Sequence, residues 1–492
     1  MRARVGSRVV MVRLRARLAA ALRAELLGND PRAAAAARAG LDELELMRGA
    51  IPTAELRARA SAHGTELAML GLRSAVRANR AATVLDWMER GRQASGLVGA
   101  PNTADPAAAA LLGELRDVMA RQRDAEPGSP DLRRLFREQA QLEARVQRRL
   151  RTADRTSPTR VRRVSPARLR DALGHRHLVA LAEVDGRLLA VTVTARDTRL
   201  HRLGPAAPAH NAAQALAFCL RRMLRGGSER SRAAAEDAAH ECLAELDAAV
   251  TAPLAARLGD AGEVVMVPTA RLFTVPWHAL GTMRHRLVTT APSATAWWRA
   301  AQRTPDADGG VLVAAGPGLP GADGEAARVA ALHPRAVLLQ PPGSTVDAVC
   351  GALPGIGLAH LACHGRFRAD NPSFSSLELS DGAMTVLDLE QTGATPERVV
   401  LAACDAGVSQ VLPGEELRGF LSVLFALGTR SVVASAVPVP DLDSAELMVD
   451  MHRHLAGGGG MCAALHRARP APGTGTADAR VAALAFTHFG SA

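Results

Sequence analysis

From His177 onward, short apolar runs alternate with helical stretches, and this alternation constrains the fold more than any other feature of the chain. The runs are His177–Glu183, Arg187–Ala195, Glu263–Pro268, Val311–Ala315, Ala336–Leu339, Gly357–Cys363, Arg398–Ala403 and Arg430–Ser435. Helical patterning fills Asn211–Leu224, Glu229–Leu258, Gly324–Leu332, Ser344–Ala352, Glu415–Leu427 and Asp441–Leu455. Parallel neighbours need a crossover, usually a helix, so this order predicts a mostly parallel α/β sheet flanked by helices. Asp185-Gly186 between the first two runs predicts one antiparallel hairpin. In such sheets the reactive side chains belong just past the carboxyl ends of strands.

Residues 1–151 follow a different grammar. Val12–Leu27, Ala34–Met47, Thr53–His63, Glu66–Arg80 and Ala82–Ala94 read as helices, the last two as a hairpin with one buried stripe per arm. Asp30-Pro31 and Asp105-Pro106 each read as an N-cap followed by proline at the first helical position. Asp105–Ala120 and Asp131–Arg151 are longer helices. Paired short helices suggest an α-solenoid, so 1–151 is expected to be an all-α, tetratricopeptide-like region without a clean period. A Ser-, Pro-, Thr- and Arg-rich linker is expected over 152–169, and the α/β part over 170–492.

At 492 residues the chain is long enough for two or three domains with sizeable cores. Its 60 basic side chains are all Arg, and its net charge is +11. That charge permits an acidic partner, but base-stacking platforms need aromatic rings among the basic residues. Tyr is absent and aromatics make up 3% of the chain, so nucleic acid is not expected as a partner. The six Cys form no CxxC and no zinc-finger spacing, which points to a reducing compartment and to no metal. Arg13, Arg15 and Arg17 interrupt the N-terminal apolar stretch, and no run of 18 apolar residues exists. No signal peptide, membrane span or membrane partner is expected, and the expected location is the cytoplasm.

Two strand ends carry chemistry. Leu358–Cys363 finishes in His364-Gly365, and Val399–Ala403 finishes in Cys404-Asp405. Parallel neighbours would bring His364 and Cys404 to one sheet edge, and a Cys paired with a His is the basis of an activated thiolate. Gly365 has no Cβ and lets a substrate backbone approach. Its N–H and that of Cys404 are the expected oxyanion donors. Cys363 is expected to pack on the opposite face. Gly316-Pro317-Gly318-Leu319-Pro320-Gly321 matches GxGxxG in letters, but its two prolines remove amides that a phosphate loop would need, so a plain turn is expected. Asp370, Asp381 and Asp388 lack the spacing of a calcium loop.

The segments HLACHGRFRADNPSFSSLELSDG, LDLEQTGATPERVVLAACDAG and GEELRGFLSVLFALGTRSVVASAVPVPD resemble the CHAT domain, a caspase-like (clan CD) cysteine peptidase family found with tetratricopeptide repeats. VVMVPTARLFTVPWHALG, with Pro268, Leu272, Pro276 and Leu280, resembles the family's non-catalytic segment, and VTTAPSATAWW its next one. The resemblance covers roughly 165–490. It implies a caspase-like sheet with a non-catalytic half (170–300) and a catalytic half (301–492). It also implies a cysteine endopeptidase acting on a protein or peptide substrate, with Cys404 as nucleophile, His364 as general acid–base, Gly365 and Cys404 as oxyanion donors, and no cofactor. The helical N-terminus is the expected seat of a regulatory protein partner. The chain departs from the family at Asp405-Ala406, where Glu-Thr is common, and at Val437-Pro438, where Trp-Pro is common. A catalytically silent scaffold in a signalling or defence complex is the alternative.

Overall fold

The computed structural model describes residues 7, 10–49, 54–95, 105–152, 163–224, 228–303, 309–366, 368, 372–393, 395–402, 420–421, 424–435, 437, 439–471 and 473–491. No helix among these is long and apolar enough to cross a membrane.

The chain begins with four helices, α1 (Val10–Leu26), α2 (Asp30–Gly49), α3 (Ala54–Arg77) and α4 (Ala81–Ser95), each packed on the next. One 24-residue helix, α3, replaces the two expected over Thr53–His63 and Glu66–Arg80. A glycine inside a helix costs only about 1 kcal/mol, and burial of Leu67 and Leu70 beyond Gly64 outweighs it. Trp87 of α4 lies so close to α3 that a Cβ at Gly71 would fall 2.2 Å from its ring. The start of α2 is capped by Asn29, whose Oδ1 accepts from the Arg32 amide at 3.1 Å, one residue earlier than Asp30.

A second hairpin, α5 (Pro106–Asp124) and α6 (Pro130–Thr152), is capped by Asp105 as expected: its carboxylate accepts from the Ala107 and Ala108 amides. Part of the expected linker is helical, because α7 (Pro166–Leu173) begins inside it and buries Leu169 and Leu173 completely.

The strands are β1 (His177–Val184), β2 (Arg187–Val193), β3 (Thr198–Pro205), β4 (Glu263–Val267), β5 (Leu287–Thr290), β6 (Gly310–Ala315), β7 (Val337–Leu339), β8 (Ile356–Ala362), β9 (Gly365–Arg366), β10 (Ser376–Leu379), β11 (Gly382–Thr385), β12 (Arg398–Leu401), β13 (Ser431–Ser435) and β14 (Phe486–Gly490). Eleven of them form one sheet in the order β3-β2-β1-β4-β5-β14-β13-β12-β8-β6-β7, while β9, β10 and β11 form a small separate sheet. Asp185 and Gly186 both take positive φ, 49° and 71°, which is the backbone of the tight β1–β2 turn that the sequence predicts.

The large sheet has two halves. β1, β4, β5 and β14 are mutually parallel, as are β13, β12, β8, β6 and β7. The halves meet antiparallel at β14 and β13. Helices α1–α4 pack on the first half through Leu178, Ala180, Val191 and Val265. The α5–α6 hairpin packs instead on the small sheet and its flanking turn and helix, through Phe374, Ala383 and Leu387. At the joint, buried His488 of β14 lies 2.7 Å from Ser431 Oγ on β13 and 2.7 Å from Thr289 Oγ1 on β5.

Candidate active site

In the second half the chain lays β7 on one side of β6 and β8, β12 and β13 on the other. That reversal makes β6 and β8 the switch point, and the crevice beyond their carboxyl ends is where open α/β sheets bind ligands. His364 stands in that crevice, two residues past β8 and one before β9. It is half-buried. Its Nε2 lies 3.4 Å from the Gly318 carbonyl, in the loop that follows β6. Its Nδ1 is buried and meets no hydrogen-bond partner among the described residues.

The loop after β6 is a turn shaped to the histidine. Gly318 takes φ +77°, a conformation glycine adopts freely, and a Cβ there would sit 3.7 Å from the His364 Nε2. A Cβ at Gly316 would collide with the Glu378 carbonyl at 2.4 Å and the Cys363 Cβ at 2.6 Å, so only glycine lets β6, β8 and β10 converge here.

Gly365 is buried and faces Leu377 across β9 and β10. The Glu378 amide donates to the His364 carbonyl at 2.8 Å, which makes His364 and Glu378 the hydrogen-bonded pair. Antiparallel ladders alternate, so the intervening Gly365 N–H is turned away from β10. Glu378 is therefore tied to the site by its backbone. Burial pushes its carboxyl up, against the opposing charges of Arg123, Arg366 and His364. Arg123 of α5 meets it at 2.7 Å.

The helical hairpin grips this corner at further points. Arg368, just past β9, pairs with Glu143 of α6. Arg116 of α5 reaches Asp388 at 3.2 Å and Asp381 at 3.6 Å. Both aspartates are thus ion-pair partners, and the Asp381 carboxylate also accepts from the Val346 amide at 2.8 Å. Asp370 lies outside the described residues. No group of three or more His, Cys, Asp or Glu among the described residues is placed to hold a metal.

Cys363 is fully buried on the face opposite His364, and burial pushes its thiol up to about 12, so it is an inert packing group. Cys404, with Asp405 and Ala406, lies outside the described residues. The described part of its strand pairs with β8 in parallel, Arg398 with Leu358 through Leu401 with Leu361.

The sequence reading missed a chain of imidazoles behind the site. His360, on β8 and on the same face as His364, lies 2.9 Å from Glu325 and 3.1 Å from His452. His452 in turn lies 2.9 Å from His333. His360 and His452 are fully buried. Burial, then the neighbouring His360 and His333, hold His452 well below the usual imidazole range, so it is neutral. The sequence signal was the even spacing of His360, on β8, and His364, just past its end. The contacts to His333 and His452 join distant segments.

Residues 240–479 match the family model of the CHAT domain. No curated protein matches the chain. The Saccharomyces cerevisiae separase in its complex with securin superposes over 94% of this chain and 37% of its own, at 10% identity and a TM-score of 0.54. A second structure of that complex covers 98% of this chain and 40% of its own, at 9% identity and a TM-score of 0.52. Gingipain R, an Arg-specific cysteine proteinase of Porphyromonas gingivalis, aligns over 57% of this chain and 74% of its own at 13% identity, with a TM-score of 0.36. The chain thus spans about two-fifths of the separase chains it resembles. The architecture is that of the caspase-like peptidases, with a helical N-terminal region before a mostly parallel sheet.

Proposed function

We propose that this CHAT-domain chain is a cysteine endopeptidase in which Cys404 is the nucleophile and His364 the general acid–base. The observation that carries the reading is the placement of His364 at the switch point of the sheet, one strand away from β12. Each β8–β12 pair joins residues forty apart, the same separation as 364 and 404. Adjacent strands run about 4.8 Å apart, which is the scale on which a Cys–His pair operates.

In this reading the Cys404 thiolate attacks the scissile carbonyl carbon. The carbonyl oxygen takes the negative charge and is met by the Gly365 and Cys404 N–H groups. The C–N bond then breaks, and His364 delivers its proton to the leaving amine. Water, deprotonated by His364, hydrolyses the thioester and restores the thiol. The Gly318 carbonyl holds the ring, and the Gly365 N–H, turned away from β10, is free of that ladder.

The helical N-terminal region is the proposed regulatory element for a protein partner. Its α5–α6 hairpin holds the segment that follows His364 and the β10 strand bonded to it, through Arg368–Glu143 and Arg123–Glu378. A partner that moved α5 or α6 would move this segment. Action on protein or peptide substrates in the cytoplasm completes the reading.

The test is labelling by an electrophilic peptide that traps cysteine peptidases. Wild-type protein is expected to be labelled at Cys404, His364→Ala to be labelled at least about 100-fold more slowly, and Cys404→Ala not at all. Equal labelling of wild type and Cys404→Ala would favour a silent scaffold.

A further inference from the structure

On the first half of the sheet, far from His364 in the strand order, lies a cavity of about 360 Å³. Its walls come from helix α9 (numbered here after α8, Ala207–Leu224; α9 spans Glu229–Leu246), the segment 278–285 and the helices Met461–Ala468 and Ala477–Ala485. The volume lies at the small-molecule end of the usual range of about 300–1,000 Å³. It admits a compact metabolite and excludes a polymer.

Three arginines, Arg284, Arg469 and Arg480, border the cavity together with the imidazoles of His240, His278, His285 and His466, against a single acid, Glu236. That acid is already taken, because Arg480 grips it through both carboxylate oxygens, one at 2.7 Å. Arg469 has only neutral partners: it donates to the Ala483 carbonyl at 3.2 Å and to the Phe486 carbonyl at 3.0 Å. No carboxylate pairs with it among the described residues. Burial lowers Arg469 to about 10, which still leaves it charged at neutral pH. Burial, and then the positive charges of Arg469, His285 and Arg467, hold His466 below the usual imidazole range.

Like charges gathered around a cavity repel one another unless an anion sits between them. A buried cation without a carboxylate partner is costly to keep. Arg469 is such a cation here, and Arg284 and His285 stand exposed at the cavity's edge. Met223, Leu243, Ala279 and Leu484 supply an aliphatic wall beside them, and no Phe or Trp lines the cavity.

We propose that this cavity binds a small multivalent anion of the phosphate-ester class, with Arg284 and Arg469 as its cationic contacts, the His285 and His466 imidazoles beside them as hydrogen-bonding groups, and the aliphatic residues against the ester's carbon body. Guanidinium groups are matched to phosphate oxygens by shape as well as charge. The site is independent of the proposed peptidase chemistry. Arg469 links it to β14, because its guanidinium also donates to the Phe486 carbonyl.

The experiment is calorimetric titration of the full chain at physiological salt with inorganic pyrophosphate and, in a parallel arm, with citrate. Pyrophosphate is expected to bind with a dissociation constant below about 1 mM. The exposed double variant Arg284→Ala/His285→Ala is expected to weaken it about tenfold or more. Arg134→Ala/Arg145→Ala, which removes two exposed arginines of α6 elsewhere, should change it by less than about twofold. Arg469→Gln should abolish binding. Should that variant not fold, the exposed pair still decides the question. No binding at about 10 mM pyrophosphate, or equal weakening by both double variants, would overturn the proposal. Citrate binding tighter than pyrophosphate would overturn the phosphate-ester assignment.

Discussion

In the first half of the sheet the strand ends are plugged; in the second they open on a histidine. The carbonyls of Val267, at the end of β4, and of Leu181 on β1 accept from the Arg92 guanidinium of α4 at 3.0 and 2.7 Å. Arg92 lies 3.5 Å from Glu89. That carboxylate, 2% exposed, also accepts from the Ala294 and Thr295 amides at 3.0 and 2.8 Å. In the second half the corresponding crevice holds Gly316, Gly318 and a half-buried His364, and α5 and α6 reach its side through Arg123 and Glu143. The same parallel layers thus serve two ends. One half uses its crevice to anchor the N-terminal helices, and the other places His364 in its crevice.

The comparison breaks most easily at Glu89. Glu89→Ala leaves two buried amides and the Arg92 guanidinium without their carboxylate, so it is expected to lower stability by about 3 kcal/mol. Urea unfolding measures this. Electrophile labelling at Cys404 of the protein that remains folded should proceed at the wild-type rate. A loss of labelling larger than the loss of folded protein would mean that the first half also shapes the site.

The joint between the halves is expected to be acid-sensitive. Burial holds the His488 imidazole down at about 3. An unfolded His titrates near 6.5, so below that pH the unfolded chain binds the extra proton and stability falls as pH falls. Between pH 7 and pH 5 this one residue accounts for about 2 kcal/mol. Urea midpoints for wild type and His488→Gln at the two pH values check the sign. The variant should lose about 2 kcal/mol less between them.

The smallest expected effect sharpens the comparison on the other side. Arg123→Ala removes a partly exposed ion pair and should cost at most about 1 kcal/mol of stability. Because Glu378 is bonded through its backbone to His364, labelling of Cys404 should nevertheless slow by about threefold. An unchanged rate would separate the hairpin from the site.

Most of the sheet was legible from its own residues. The expected strands at 177–183, 263–268, 311–315, 357–363 and 430–435 fall on β1, β4, β6, β8 and β13 within one or two positions. Each is a β-branched or apolar run bounded by turn residues, so the local signal and the tertiary role agree. β14 was missed because FTHFG is short and directly follows an alanine-rich helix. β9, β10 and β11 have two to four residues each, and only their long-range pairing makes them strands. His364 was legible because it follows an apolar run and precedes a glycine. The Arg92 plug, the imidazole chain and the cationic cavity join segments far apart in sequence, and no local pattern announces them. The proposed role of Cys404 rests on the motif and on the register of its strand.

The most direct test is mapping of new protein N-termini in cells that express wild type or Cys404→Ala side by side. The account predicts a set of cleavages sharing one side-chain preference before the cut, present with wild type and absent with Cys404→Ala and with His364→Ala. Identical N-termini from wild type and both variants, under conditions where the wild type is folded, would contradict it.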